Sequence, residues 1–279
     1  MRCAVLGDPV DHSLSPALHR AAYDVLGLDW TYDAVRVPAG ALAAFVDGLD
    51  QTWRGLSLTM PLKREVIPLL TSQDDWTRVS GAANTLLLDH NGGRHGLNTD
   101  VPGALAAVNT ATQAHLGSAV VLGGGATAAS VLLALAERGL AEATLVVRDP
   151  ARAAETLDAV SRHPQPPRVT VLPWADLAPV TADIVVSTVP PEAQDDDVVA
   201  ATRDIGVVFD VRYDPWPTPL ARVATTDGRT VIGGLDLLLW QAVDQVRAMT
   251  GRFDVPVEAM RAAGEAGLAE RHRGQGSLP

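Results

Sequence analysis

The stretch Val120-Val121-Leu122-Gly123-Gly124-Gly125-Ala126-Thr127-Ala128 decides the fold of this chain. It opens on a β-branched apolar run, the pattern of a strand buried on both faces of a parallel sheet. Three glycines follow, and Ala129-Ser130-Val131-Leu132-Leu133-Ala134-Leu135-Ala136-Glu137-Arg138 then reads as a helix. Gly123, Gly125 and Ala128 fit the G-x-G-x-x-A spacing of a dinucleotide-binding turn. In such a turn the first glycine permits the tight bend and the second lets a pyrophosphate approach the backbone. The small third residue lets helix and strand pack closely. The pyrophosphate rests on N–H groups at the positive end of the helix. A glycine pattern alone is weak, and a glycine-rich turn of an unrelated α/β protein would look similar. The strand before and the helix after supply the context that the motif requires. Gly123, Gly124, Gly125, Ala126 and Thr127 are therefore candidate cofactor contacts.

Outward from this turn the alternation continues, with a helix over 127–138, a strand over 144–147 and a helix over 150–161. Short buried strands are predicted at 169–172, 184–187 and 207–211. The segment 213–220 reads as a loop stiffened by three prolines, which fix φ. Helices are predicted over 235–250 and 257–271. Upstream, strands are predicted at 3–6, 30–37, 55–59 and 81–88, with a hairpin turn at 89–93. Ser15-Pro16 reads as a serine N-cap with proline at the first helical position. Further helices are predicted over 42–49, from Met60 to about Leu70, and from about Pro102 to Ala111. The fold class is α/β: an N-terminal α/β domain plus a Rossmann-type dinucleotide-binding domain. The expected division is 1–101, with helices of 236–271 packing back on it, then 102–235, then a flexible tail at 272–279.

The chain has 279 residues, 47% of them hydrophobic, enough to build a full core. Its net charge of −11 argues against nucleic acid or an anionic membrane as a partner. An anionic ligand must be held by local cations and N–H groups. Cys3 is the only cysteine, so no intramolecular disulfide and no cysteine metal cluster is expected. Asp8-Pro9 interrupts the apolar start, which argues against a signal peptide. No apolar run is long enough to span a bilayer. A soluble, cytoplasmic protein is expected. An apolar edge strand in the first domain would allow a homodimer.

The second strand of a dinucleotide unit ends beside the adenine ribose, where an acidic residue favours NAD and an arginine favours NADP. Here it ends in Val147-Arg148-Asp149-Pro150-Ala151-Arg152. Arg148 and Arg152 are four apart and are both candidates for one 2′-phosphate. Asp149 would repel it, unless the Asp149-Pro150 pair is a helix cap whose carboxylate turns onto backbone N–H groups. NADP is favoured over NAD; the bland alternative for both arginines is a solvated helix surface.

Polar residues cluster at strand ends or helix starts of the first domain: Ser13 and Ser15, Thr59 and Lys63, Asn84 and Thr85, Asn98 and Asp100. Each has a bland explanation as a cap, a turn former or a solvated lysine. Jointly they suit a small polyhydroxylated, carboxylated substrate. Hydride attack on a ketone builds negative charge on oxygen, which needs a proton or a cation nearby, and Lys63 can supply either. Asp100 can orient the lysine and accept a hydrogen bond from a substrate hydroxyl. No cluster of histidines and carboxylates suggests a metal.

In order along the chain, Gly7-Asp8-Pro9-Val10-Asp11-His12-Ser13-Leu14-Ser15-Pro16, Gly55 to Lys63, Gly81-Ala82-Ala83-Asn84-Thr85, Gly96-Leu97-Asn98-Thr99-Asp100, Tyr213 to Leu220 and Gln241-Ala242 resemble the motifs of the shikimate dehydrogenase family. The resemblance implies that Ser13 and Ser15 bind the substrate carboxylate, and that Thr59, Asn84, Tyr213 and Gln241 hold the ring and its hydroxyls. It implies Lys63 and Asp100 as the catalytic pair, with Val211 and Gly234 completing the cofactor-binding set. It also implies an N-terminal substrate domain and a Rossmann-type NADP-binding domain, with the active site in the cleft between them. The implied reaction is NADPH-dependent, reversible reduction of 3-dehydroshikimate to shikimate on the way to chorismate and the aromatic amino acids. Five positions depart from the family pattern. Arg20 and Ser57 stand where asparagine is usual, Val147-Arg148-Asp149 stands for Asn-Arg-Thr, and Asp236 replaces a glycine. Two other readings are a relative acting on quinate or an aminoshikimate with NAD, and a non-catalytic dinucleotide-binding regulator; retention of both Lys63 and Asp100 argues against the second.

Overall fold

A computed structural model describes residues 1–275, apart from the side chains at positions 152, 272 and 275. The chain divides into two compact units, one made of residues 1–99 and the chain from 238 onward, the other of residues 100–237. The breaks lie two residues away from those expected, at 99/100 rather than 101/102 and at 237/238 rather than 235/236.

The first unit is built on a six-stranded sheet of order β2-β1-β3-β5-β6-β4. Its strands are β1 (Arg2–Gly7), β2 (Thr31–Arg36), β3 (Trp53–Leu58), β4 (Ser72–Gln73), β5 (Thr85–Leu88) and β6 (Arg94–Leu97). β2, β1 and β3 are parallel; β5 and β6 add an antiparallel hairpin. Its apolar residues pack on both faces. Leu6, Leu56, Leu58 and Leu86 lie in one cluster, and Cys3, Val5, Tyr23 and Tyr32 in another. The edge strand β2 exposes Thr31, Ala34 and Arg36, and the short edge strand β4 exposes Ser72 and Gln73.

Helices α1 (Ser15–Val25), α2 (Leu42–Asp47), α3 (Leu62–Glu65) and α4 (Asp75–Ser80) connect these strands. Two expectations are corrected here. Ser15 is not the cap of α1: the cap position is Leu14, whose helical φ and ψ of −88° and −6° put Ser15 inside the first turn. The serine oxygen that takes a first-turn N–H is that of Ser13, which accepts from the Ser15 N–H at 3.2 Å. Nor does a helix run from Met60 to Leu70. α3 is a single turn followed by a 3-10 turn at Ile67–Leu69, because Pro68 has no N–H to continue the ladder. α4, unread in the sequence, is capped by Asp74, which accepts from the Thr77 N–H at 2.7 Å, and ends at Gly81 with φ +66°.

The second unit holds β7 (Ser118–Leu122), β8 (Glu142–Val147), β9 (Arg168–Pro173), β10 (Ile184–Ser187), β11 (Val207–Asp210) and β12 (Thr230–Ile232). All are parallel, in the order β9-β8-β7-β10-β11-β12. This is the doubly wound order 3-2-1-4-5-6, whose direction reverses between β7 and β10. Its helices are α5 (Asp100–Ala111), α6 (Ala126–Glu137), α7 (Ala154–Ser161), α8 (Asp196–Ala201) and α9 (Pro219–Thr226). α6 is apolar nearly all round and buried from Ala128 to Ala136, as a helix covering a parallel sheet must be. α9 overturns part of the predicted loop at 213–220. Thr218 has extended φ and ψ of −69° and 164° and caps the helix, with Pro219 as its first residue.

Two further helices follow, α10 (Gly234–Thr250) and α11 (Val257–Gln275). From Leu238 onward they belong to the first unit, where α11 packs on α1. The predicted tail at 272–279 is corrected for its first part, since α11 continues to Gln275; residues 276–279 lie outside the described residues. Among the described residues no helix is long and apolar enough to cross a membrane.

Candidate active site

In the first unit the chemistry-bearing residues gather at the carboxyl ends of β1 and β3 and the entry to β5. The Arg271 guanidinium donates to the carbonyl of His12 at 2.8 Å and to that of Ser13 at 3.3 Å, so α11 clamps the loop that carries the two serines. Ser15 is buried and Ser13 half-buried. His19, one turn further along α1, is fully buried and stacks on Tyr32 with ring centroids 3.9 Å apart. Its Nδ1 lies 3.0 Å from the Ser15 carbonyl. A carbonyl only accepts, so Nδ1 carries the proton, and Nε2 has no partner among the described residues. A second proton there would be an unpartnered buried charge, which pushes the His19 pKa down to about 4. In the unfolded chain it titrates near its ordinary value of 6.5. The unfolded state therefore binds the extra proton first as pH falls. The stabilisation from keeping His19 neutral is fully present above about pH 6.5 and declines toward pH 4, by roughly 3 kcal/mol in total. The urea midpoint should fall across that window, and the fall should shrink in a His19→Asn variant; an unchanged pH slope in the variant would exclude His19 as its source.

Thr59 follows β3, its N–H donating to the Leu6 carbonyl at 2.9 Å. Lys63 lies half-buried in α3, and its own carbonyl accepts from the Ala83 N–H at 2.8 Å, which ties its backbone to the entry of β5. Asn84 is buried at the centre of a polar cluster. Its Nδ2 donates to Thr99 Oγ1 at 2.9 Å and to Gln241 Oε1 at 3.2 Å. Its Oδ1 accepts from the Thr99 N–H at 2.8 Å. Asn98, also buried, donates to Ser80 Oγ and the Ala82 carbonyl, holding the turn before β5. The first unit thus brings Asn84 into direct contact with Gln241, which lies 157 positions away. Lys63 belongs to the first unit and Asp100 to the second, where Asp100 is the buried first residue of α5 and follows Thr99 in the chain.

In the second unit the glycine turn sits at the carboxyl end of β7, at the reversal of strand order where such sheets bind ligands. Gly123 has φ +99°, a conformation that favours glycine, and a Cβ there would stand 2.5 Å from Thr188 Oγ1 beyond β10. Its N–H donates to the Val146 carbonyl of β8 at 2.9 Å. Gly125 faces open space: a Cβ there would meet nothing within 4 Å. It occupies the cap position of α6 and, having no side chain, makes no cap hydrogen bond to the first-turn N–H groups. Ala126 and Thr127 form that turn, half-buried. These features fit a pyrophosphate. Arg148 is exposed just past β8. Asp149 caps the following 3-10 turn, accepting from the Ala151 N–H at 3.0 Å, as the Asp-Pro pair predicts. The Arg152 side chain lies outside the described residues. Val211 and Gly234 meet at the backbone: a Cβ on Gly234 would stand 2.3 Å from the Val211 carbonyl oxygen. The unusual Asp236 has a local role, accepting from the Gly233 N–H at 3.2 Å at the start of α10.

The first motif, the lysine segment, the glycine turn and the buried asparagine cluster therefore all lie on built local structures. The family model for the shikimate dehydrogenase substrate binding domain matches residues 5–86, and that for the shikimate 5'-dehydrogenase C-terminal domain matches residues 234–263. A curated relative from Rubrobacter xylanophilus, named shikimate dehydrogenase (NADP(+)), is 37% identical over 93% of each chain. The chain belongs to the shikimate dehydrogenase family. Among solved structures, the Thermus thermophilus shikimate 5-dehydrogenase in complex with NADP(H) and shikimate superposes with a TM-score of 0.80, at 32% identity over 96% of this chain and 100% of that one. The Corynebacterium glutamicum quinate dehydrogenase in complex with NAD gives a TM-score of 0.86, at 28% identity over 95% of this chain and 99% of that one.

Two supports of this site escaped the sequence reading. Asp210, fully buried at the end of β11, accepts from Gln194 Nε2 and Thr218 Oγ1, both at 2.7 Å, and from the Arg212 N–H at 3.1 Å. Burial pushes its pKa up against these three donors. It anchors both ends of the loop that carries Val211 and half-buried Tyr213. Gln245, one turn beyond Gln241 on α10, is the other. Its spacing of four from Gln241 was the available signal, since residues four apart share a helix face.

Proposed function

We propose that this chain is a shikimate dehydrogenase that catalyses the reversible, NADP-dependent reduction of 3-dehydroshikimate to shikimate. The observation that carries the reading is the pairing, in one chain, of an uncapped glycine turn at the switch point of a doubly wound sheet with the buried Asn84–Gln241 pair. Membership of the family, with a curated NADP-dependent relative at 37% identity, supports it. Ser13 and Ser15 bind the substrate carboxylate, and Thr59, Asn84, Tyr213 and Gln241 hold the ring and its hydroxyls. NADPH, when bound by the glycine turn, Arg148, Arg152, Val211 and Gly234, supplies the hydride. As the carbonyl carbon is reduced, negative charge grows on its oxygen; the Lys63 ammonium stabilises that charge and gives up a proton to complete the alcohol. Asp100 accepts a hydrogen bond from a neighbouring substrate hydroxyl. In the reverse direction neutral Lys63 takes the hydroxyl proton back.

The same reading makes the substrate-binding domain the unit of residues 1–99 and 238 onward and the cofactor domain that of residues 100–237. It places the enzyme in the cytoplasm, where a soluble NADP-linked biosynthetic step belongs. A homodimer through an edge strand of the first unit is the oligomer the reading allows, and sedimentation velocity measures whether one forms.

The decisive assay compares shikimate and quinate with NADP and with NAD, followed through the absorbance of the reduced nicotinamide. Shikimate with NADP should give the highest kcat/KM. Faster turnover of quinate with NAD would move the chain toward the quinate dehydrogenase it superposes on. Binding of NADPH without its oxidation by 3-dehydroshikimate would make it a regulator. Arg148 bears on the cofactor choice. With Asp149 engaged by the Ala151 N–H, Arg148 is the cation expected at the 2′-phosphate. Arg148→Ala should raise the KM for NADP by about tenfold to a hundredfold, the worth of a hydrogen bond to a charged group, and leave that for NAD unchanged. Equal effects on both cofactors would remove Arg148 from phosphate recognition.

A further inference from the structure

A continuous hydrogen-bond chain runs behind Asn84 through side chains that face no solvent. The Tyr32 hydroxyl donates to Ser57 Oγ at 2.6 Å, and the Ser57 hydroxyl donates to Gln245 Oε1 at 2.8 Å. The Gln245 Nε2 donates to the Asn84 carbonyl at 3.2 Å and to Thr85 Oγ1 at 3.0 Å. The Thr85 hydroxyl donates to Asn84 Oδ1 at 3.0 Å. Tyr32 and Thr85 are 0% exposed, Gln245 1% and Ser57 4%.

We propose that Gln245 is a positioning residue that fixes which end of the Asn84 carboxamide is donor and which is acceptor, and through it the affinity for a hydroxylated ring substrate. The inference rests on the reading above that Asn84 holds a substrate hydroxyl. Proton directions along the chain set the polarity of the amide. A carboxamide can turn end for end at almost no steric cost, so only its partners decide its polarity. A hydroxyl has one proton to give. Thr85 Oγ1 accepts a proton from Gln245, so its own goes to Asn84 Oδ1. Gln245 is held the same way round, because the Ser57 hydroxyl donates to its Oε1. Ser57 accepts from Tyr32, whose phenol burial keeps neutral and therefore a donor. At the other end the Thr99 backbone N–H, which can only donate, also points at Asn84 Oδ1. Both ends agree, and Asn84 presents Nδ2 toward Gln241. Ser57 is short enough to let the Tyr32 phenol complete the chain.

Gln245→Met keeps the volume and removes the amide; Thr85→Val keeps the shape and removes the hydroxyl. Each should raise the KM for shikimate by about tenfold, the worth of one buried hydrogen bond, with kcat and the KM for NADP within about twofold. The deciding measurement is a double-mutant cycle with Asn84→Ala. If Gln245 acts through Asn84, Gln245→Met adds little in the Asn84→Ala background. Additive effects, or a loss of Tm with no change in the KM for shikimate, would overturn the proposal. Should Gln245→Met fail to fold, the cycle with Thr85→Val decides on the same criteria. A separate result, Asn84→Ala leaving the KM for shikimate unmoved, would sink the assignment of Asn84 itself and with it this inference.

Discussion

Lys63→Ala lowers kcat by roughly two to four powers of ten and leaves the KM for shikimate within a few-fold, the pattern expected when a general acid is lost from the transition state. The ground-state carbonyl carries little charge, so removing an ammonium beside it costs little binding. The alkoxide forming in the transition state carries much more, so the same removal costs far more there. Folding should survive. The main-chain tie of this residue, from its carbonyl to the Ala83 N–H, is a backbone bond that alanine keeps. Lys63→Arg separates the two duties. It retains the positive charge but holds its proton too tightly to give it up, so its kcat should fall between those of the native enzyme and Lys63→Ala. A Lys63→Ala enzyme with intact kcat and a greatly raised KM would show a lysine that only binds.

Asp100→Asn should lower kcat/KM for shikimate by about a hundredfold, through both parameters, because a buried hydrogen bond to a charged acceptor is lost from ground and transition states alike. The choice of asparagine matters. Asp100 is the first residue of α5 and 5% exposed, so its carboxylate also sits where a helix N-terminus favours negative charge. Alanine would mix a loss of helix stability, typically about 1 kcal/mol at such a position, with any catalytic loss. Asparagine serves helix starts nearly as well and removes only the charge. Unchanged Tm with lowered kcat/KM is the expected result. A fall in Tm with normal kinetics would return Asp100 to the structural role that its place on the helix also allows.

What was legible in the sequence had local causes. The strand–glycine–helix stretch at 120–138 has one reading because a β-branched run, a positive-φ glycine and a small-residue helix each depend on near neighbours. Asp149 turned onto the Ala151 N–H for the same reason. The misreadings came where two local signals compete. Ser15-Pro16 and Thr218-Pro219 look alike, yet Thr218 takes the extended backbone that a cap needs, while Leu14 is already helical and draws Ser15 into the turn. Six-residue α4 (DWTRVS) and α8 (DDVVAA) lack the apolar run that marks the equally short α2 (LAAFVD), and α3 stops after four residues.

By itself, then, the amino-acid order determined an α/β chain with a dinucleotide turn, a candidate lysine and a candidate carboxylate, because those features are written in adjacent residues. Only tertiary structure decided that Gln245 reaches Ser57 across 188 positions, that Gln241 meets Asn84, and that Arg271 clamps the loop of Ser13. Such contacts depend on how helices pack against a sheet, and a single side-chain hydrogen bond is worth too little to leave a mark in local propensity.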